Sequence, residues 1–123
     1  MARRIINSEV RKMEKTRLQK IERLIQKEMS LMLQDAAPYT GGGMLTVTRV
    51  TVTPDLQIAR IHVSIFGLPD KKAALKELKS HGPELRYQLG VKIRHQIRII
   101  PQLQFFLDDS LDYIERIDKL LNQ

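Results

Sequence analysis

Residues 78–90, LKSHGPELRYQLG, decide how the second half of this chain folds. They lie within a stretch from Asp70 to His95 that has the apolar spacing of one long helix. Ala74, Leu75 and Leu78 make a buried side before the middle, and Leu85, Leu89 and Ile93 make one after it. Between them stand Gly82 and Pro83. Inside a helix glycine costs about 1 kcal/mol and proline about 3 kcal/mol relative to alanine. Proline also drives the residue before it out of the helical region, while its own φ suits the first turn of a new helix. The sequence therefore predicts two half-helices and a joint: Gly82 leaves the helical region and permits the turn, and Pro83 opens the second helix. Asp70, after Pro69, is the expected N-cap of the first.

Upstream, residues 44–67, MLTVTRVTVTPDLQIARIHVSIFG, read as two strands around a Pro54–Asp55 turn. Ala59, Ile61, Val63 and Ile65 alternate with Arg60, His62 and Ser64, the pattern of an antiparallel sheet with one covered and one wet face. In the first strand Leu45 and Val47 share one phase, and Val50 and Val52 the other. A bulge near Thr48–Arg49 reconciles them. Downstream, residues 97–108, IRIIPQLQFFLD, read as a third strand with Ile97, Ile99, Leu103, Phe105 and Leu107 in phase. Pro101 donates no ladder hydrogen bond, so this strand is an edge or carries a bulge.

The apolar face of Leu18, Ile21, Leu24, Ile25, Met29 and Met32 predicts a first helix. It starts at Thr16, which with Gln19 resembles a capping box, or as early as Ser8, because Val10 and Met13 continue the pattern. DAAPYTGGG, residues 35–43, reads as a loop, and not a phosphate loop, since no Gly-Lys-Ser/Thr follows. The last residues, DDSLDYIERIDKLLNQ, read as a short amphipathic helix with Leu111, Ile114, Ile117 and Leu121 inward and aspartates at its positive end. The order is α-β-β-α-joint-α-β-α. It predicts a two-layer α+β domain whose three-stranded sheet is covered on one face by helices.

A chain of 123 residues fits one domain. The absence of cysteine excludes disulfides and thiolate chemistry. No apolar run approaches the roughly 20 residues of a membrane span, and the basic N-terminus lacks a secretory signal's apolar run, so a soluble, intracellular protein is expected. The net charge is +7, placed unevenly: residues 1–35 carry +4, residues 71–98 carry +6, and residues 99–123 carry −3. Two basic regions suit a polyanion, because each phosphate contact releases condensed counterions; the alternative is a solvated surface. No segment pairs bulky aromatics with a basic face, which disfavours a lipid surface. The obvious carboxylates, Asp55, Asp108, Asp109 and Asp112, stand at a turn and a helix start, where aspartate has structural roles. No histidine lies near a serine in a nucleophile motif and no His/Asp spacing suggests a metal, so neither an enzyme nor a cofactor is expected.

The element order with its jointed helix pair resembles the type II KH fold of RNA-binding proteins. More narrowly, LTVTRVTVTPDLQIARIHVSIFG resembles the strand hairpin of the bacterial ribosome-binding factor A family. ELRYQLGVKIRHQIRIIPQLQFFLDDS resembles that family's second half-helix, third strand and Asp-Ser ending. The resemblance spans roughly residues 15–115. It implies a KH-like domain over residues 15–108, a basic extension over 1–14 that continues into the first helix or precedes it, and a C-terminal helix over 109–123. It also implies a non-enzymatic cytoplasmic factor, monomeric when free, with no small-molecule substrate and no membrane. Such a factor binds the small (30S) ribosomal subunit through 16S rRNA near the neck, assists late maturation including 5′-end processing, and is linked to growth in the cold. The family replaces the Gly-x-x-Gly loop of ordinary KH domains by an Ala-x-Gly joint. Here the triplet is Ser80-His81-Gly82, with serine in the alanine position.

On this reading the rRNA-binding residues are Lys76, Lys79, Ser80, His81, Gly82, Arg86, Lys92, Arg94 and Arg98. Phosphate needs cations, and a glycine lets a backbone approach closely. His81 is equally consistent with a base contact and with an exposed joint residue. A second basic surface runs along the first helix through Arg17, Lys20, Arg23 and Lys27, with Arg3, Arg4, Arg11 and Lys12 before it. Arg49, Arg60 and His62 stand on the uncovered strand face, where they extend the RNA surface or are simply wet. His62 and His95 are isolated in sequence and read as surface or packing residues. The alternatives are a general single-stranded RNA-binding KH-like module, or a protein-binding adaptor using the acidic terminal helix.

Overall fold

The computed structural model describes the backbone of residues 2–108 and the side chains of residues 16–108. The helix expected over residues 109–123, with Asp109 and Asp112, lies outside the described residues, as do the side chains of Arg3, Arg4, Arg11 and Lys12.

Helix α1 runs unbroken over Ala2–Met32. It begins well before Ser8, because no glycine or proline interrupts residues 2–32; Thr16 is an interior residue and not a cap. Ile25, Met29 and Leu33 are buried, with Leu18, Ile21, Leu24 and Met32 packed around them. The segment read as a loop contains one helical turn, α2, Ala37–Thr40. Pro38 presets φ in that turn. The buried Thr40 hydroxyl lies 2.9 Å from the Ala36 carbonyl and 2.7 Å from that of Gly42. At Gly43, φ is +72°, and a Cβ there would sit 2.5 Å from the Phe66 carbonyl oxygen. Glycine is required where β1 starts beside the end of β2.

β1, Met44–Val52, pairs antiparallel with β2, Ile58–Phe66, and the register shifts between Val47 and Arg49, where the change of phase predicted a bulge. The Asp55 carboxylate holds the turn: it accepts from Thr53 Oγ1 at 2.6 Å and from the Gln57 N–H at 3.2 Å. These bonds hold the carboxyl below its ordinary value. β3, Gln102–Leu107, is shorter than the sequence suggested and lies at an edge, with Pro101 just before it. β3 runs parallel to β2, so the sheet is mixed and not antiparallel. Alternation reports which face is covered and not strand direction. The helix pair between β2 and β3 provides the crossover that a parallel neighbour needs.

α3, Lys71–Ser80, is capped by the Asp70 carboxylate, which accepts from the Ala73 N–H at 3.1 Å. α4, Gly82–Ile93, follows after a single residue. The core lies between the helices and the inward side chains Leu45, Val47, Val50, Val52, Ala59, Ile61, Val63, Ile65 and Phe105. α1 packs on β1, α3 on β3, and α4 touches both α1 and β3. The other face of the sheet carries Arg49, Arg60, His62 and Phe106. Ser64 departs from the expected wet face: it is 3% exposed, so the open face closes at that end.

Candidate nucleic-acid interface

The joint turns on His81 and not on Gly82. His81 has φ −89° and ψ 4°, ends α3 by donating its N–H to the Leu78 carbonyl, and starts α4 by accepting from the Leu85 N–H at 2.9 Å. Gly82 is the first residue of α4 and has no left-handed φ. Proline disfavours the helical region for its predecessor, but the first position of a helix tolerates Gly-Pro because its N–H groups have no intrahelical partner. A Cβ on Gly82 would meet nothing within 4 Å. The space over this backbone is open to a ligand.

Two side chains from outside the joint hold the His81 ring. Tyr39 of α2 meets it edge-on, with centroids 5.4 Å apart, and Glu84 Oε2 lies 3.5 Å from Nδ1. The Ser80 hydroxyl donates to the Glu77 carbonyl at 2.5 Å. The departure from alanine is thus absorbed inside α3 and leaves the turn at His81 intact.

A shallow groove of about 640 Å³ opens between α4 and residues 100–103. Lys79, Arg86 and Arg94 supply its positive charge, Gly82, Pro83 and Gly90 its backbone wall, and Tyr87 an aromatic ring. Cations, an exposed ring and approachable backbone are the elements with which proteins hold single-stranded nucleic acid. Arg86 has a further task. Its Nε donates to the Pro101 carbonyl at 3.1 Å and its Nη2 to that of Ile100 at 2.8 Å, which ties the start of β3 to α4. Lys76, Lys92 and Arg98 are exposed but do not line the groove. Arg17, Lys20, Arg23 and Lys27 are all exposed on α1, a separate stripe.

Tyr87 was not among the sequence-derived candidates, yet it is 74% exposed beside Arg86. Its signal was present: it lies off the Leu85–Leu89–Ile93 phase in a basic helix, where an aromatic has no core role.

On the open face of the sheet Arg49, His62 and Phe106 are register partners across all three strands. Burial and the neighbouring positive Arg49 hold the His62 imidazole below its ordinary value. Among the described residues no group of three or more His, Cys, Asp or Glu is placed to hold a metal. None of the described helices is long and apolar enough to cross a membrane.

Known proteins share both the fold and much of the sequence of this chain. Two structures share the fold. One is the crystal structure of ribosome-binding factor A from Thermus thermophilus, with TM-score 0.62, 21% identity, and coverage of 73% of this chain and 94% of that one. The other is a homology model of the Thermus thermophilus ribosome-binding factor A fitted into a cryo-electron-microscopy map of its 30S complex, with TM-score 0.53, 24% identity, and coverage of 76% and 92%. The ribosome-binding factor A of Cytophaga hutchinsonii is 44% identical over 112 residues, 90% of this chain and 84% of that protein. The factor of Chlorobium phaeobacteroides is 42% identical over 108 residues, 87% of this chain and 92% of that protein. The profile of the family described as ribosome-binding factor A matches residues 17–121. With the mixed three-stranded sheet, the jointed helix pair and this match over most of its length, the chain belongs to the ribosome-binding factor A family.

Proposed function

We propose that this protein binds the small ribosomal subunit through 16S rRNA and assists its late maturation, including processing of the 5′ end. It acts in the cytoplasm as a monomeric binding factor, without catalysis, cofactor or small-molecule substrate. The observation that carries this reading is the groove beside the joint, where Lys79, Arg86 and Arg94 surround the uncovered Gly82 backbone in a chain of this family. A second supporting feature is the exposed cationic stripe of α1, which suits another segment of the same polyanion.

The test is sedimentation of cell extract on a sucrose gradient at low salt. The protein is expected in the small-subunit fractions and is expected to leave them steeply as salt rises. A protein that stays at the top of the gradient at low salt sinks the reading. Depletion of the factor is expected to accumulate small subunits carrying 16S rRNA with an unprocessed 5′ end. Normal 5′ ends after depletion would remove the processing role while leaving the binding role.

A further inference from the structure

The jointed helices occupy one side of the sheet. The other side carries a feature that the proposed function does not use. Strand alternation places Arg49, His62 and Phe106 on the open face, and the register makes them direct neighbours across β1, β2 and β3. Antiparallel neighbours such as Arg49 and His62 have Cβ atoms about 4.5–5.5 Å apart. The His62 and Phe106 rings stack, with centroids 5.4 Å apart and planes 25° from parallel. Arg49 Nη2 lies 3.5 Å from His62 Nε2. Three planar groups, a guanidinium, an imidazole and a phenyl ring, thus form one row. Phe106 is 40% exposed, although it follows the buried Phe105. Arg60 stands one row away, beside Thr51 and Gln104.

We propose that this face is a second RNA site, in which Phe106 and His62 stack unpaired bases of single-stranded RNA and Arg49 and Arg60 take its phosphates. The proposal rests on the RNA-binding reading above. Its chemistry is that of sheet platforms whose aromatics stack bases without sequence preference.

Two observations favour RNA as the occupant. The described cations on the face, Arg49 and Arg60, have the sign a phosphate backbone needs, and the His62 ring extends the π surface of Phe106. The face is also continuous with the groove. A shallow depression along the free edge of β3 is lined by Lys79, Leu103, Gln104, Phe105 and Phe106. Lys79 and Leu103 line the groove as well. One strand of RNA can therefore pass from α4 around β3 to the open face. Its extent is bounded at the other end, where Thr48 Oγ1 donates to the Asp108 carboxylate at 2.6 Å and Ser64 is buried.

The test uses the full chain, chemical-shift mapping, and an oligouridylate of about eight nucleotides against a duplex RNA of equal length. Shifts are expected at Arg49, His62 and Phe106 with the oligouridylate and not with the duplex. Phe106→Leu keeps apolar bulk and removes the ring; it is expected to weaken oligouridylate binding on the order of tenfold, and Phe106→Tyr to restore it. Should Phe106→Leu fail to fold, Arg49→Ala is expected to weaken binding in the same direction. Shifts confined to α3 and α4, with Phe106→Leu binding as the parent does, overturn the platform and leave the proposed function standing. Shifts on this face produced by concentrating the protein alone assign it to a second copy and also overturn the platform. Retained stacking in a protein that no longer sediments with small subunits would instead uphold the platform and sink the ribosomal reading.

Discussion

Arg86 Nη2 lies 2.8 Å from the carbonyl oxygen of Ile100. The same guanidinium reaches the Pro101 carbonyl through Nε. A cation that sequence alone marks as a surface charge is thus a clamp between α4 and the start of β3. Pro101 brings no N–H to the sheet ladder, and its carbonyl and that of Ile100 both accept from this one side chain.

Arg86→Ala is therefore expected to destabilise the fold by about 1.5–3 kcal/mol, the range for hydrogen bonds to a charged group, read as a shift in the urea midpoint. Arg86→Lys recovers only part, because an ammonium lacks the planar fork that spans two carbonyls. An unchanged midpoint in Arg86→Ala would remove the clamp.

Lys79→Glu with Arg94→Glu separates binding from stability. Both side chains are exposed on the groove. The midpoint is expected to move by less than about 0.5 kcal/mol, while small-subunit association weakens and its salt dependence becomes shallower by about one unit of slope per lost phosphate contact. Unaltered association would move the site to the α1 stripe.

Gly82→Ala reverses the expectation drawn from sequence. With no left-handed φ and no atom within 4 Å of the new Cβ, alanine is expected to leave stability unchanged or raise it by up to about 1 kcal/mol. Weakened subunit binding at unchanged stability would report RNA backbone over this position. A large loss of stability would show that the joint needs glycine after all.

Gly43→Ala is expected to be the damaging glycine substitution. The left-handed φ alone costs about 1–2 kcal/mol, and the new Cβ would press on the Phe66 carbonyl and on Leu68. Urea unfolding is expected to show a loss of more than about 2 kcal/mol. A midpoint like the parent's would contradict the backbone at the start of β1.

His62 predicts a pH dependence. Its folded value is depressed below the ordinary 6.5, first by burial and then by Arg49. Between the folded and unfolded values the unfolded chain binds more protons, so stability rises with pH there. The contribution is complete above 6.5 and declines as pH falls through that value toward the folded one. His62→Gln is expected to flatten the urea midpoint across this window. An equal slope in parent and variant would assign the dependence elsewhere.

The bulge beside Thr48, the Asp70 cap, the buried faces of α3 and α4, and the edge position of β3 were all legible in the sequence. Each is local: a change of phase, a carboxylate before a helix, a repeat of three and four, a proline without a donor. For the start of α1 the sequence offers Thr16 or Ser8, whereas the helix begins at Ala2, because no glycine or proline interrupts residues 2–32. The turn at Pro38 was hidden by the glycines after it. The cationic character of the groove was legible too, since charge is counted and not folded.

What the tertiary structure decided depends on residues distant in sequence. The parallel pairing of β2 with β3 follows from the path of the two-helix crossover, which alternation does not encode. Which cations are free follows from which carbonyls they meet: Lys79 stays on the groove, whereas Arg86 is engaged by residues 14 and 15 positions away. The turn lies at His81, and Tyr39, from a separate helix, packs against its ring. Sequence determined that two half-helices must meet near SHGP and that their surroundings are basic; only the packing of β3 and α2 against them decided which of those side chains are engaged and which stay open to solvent.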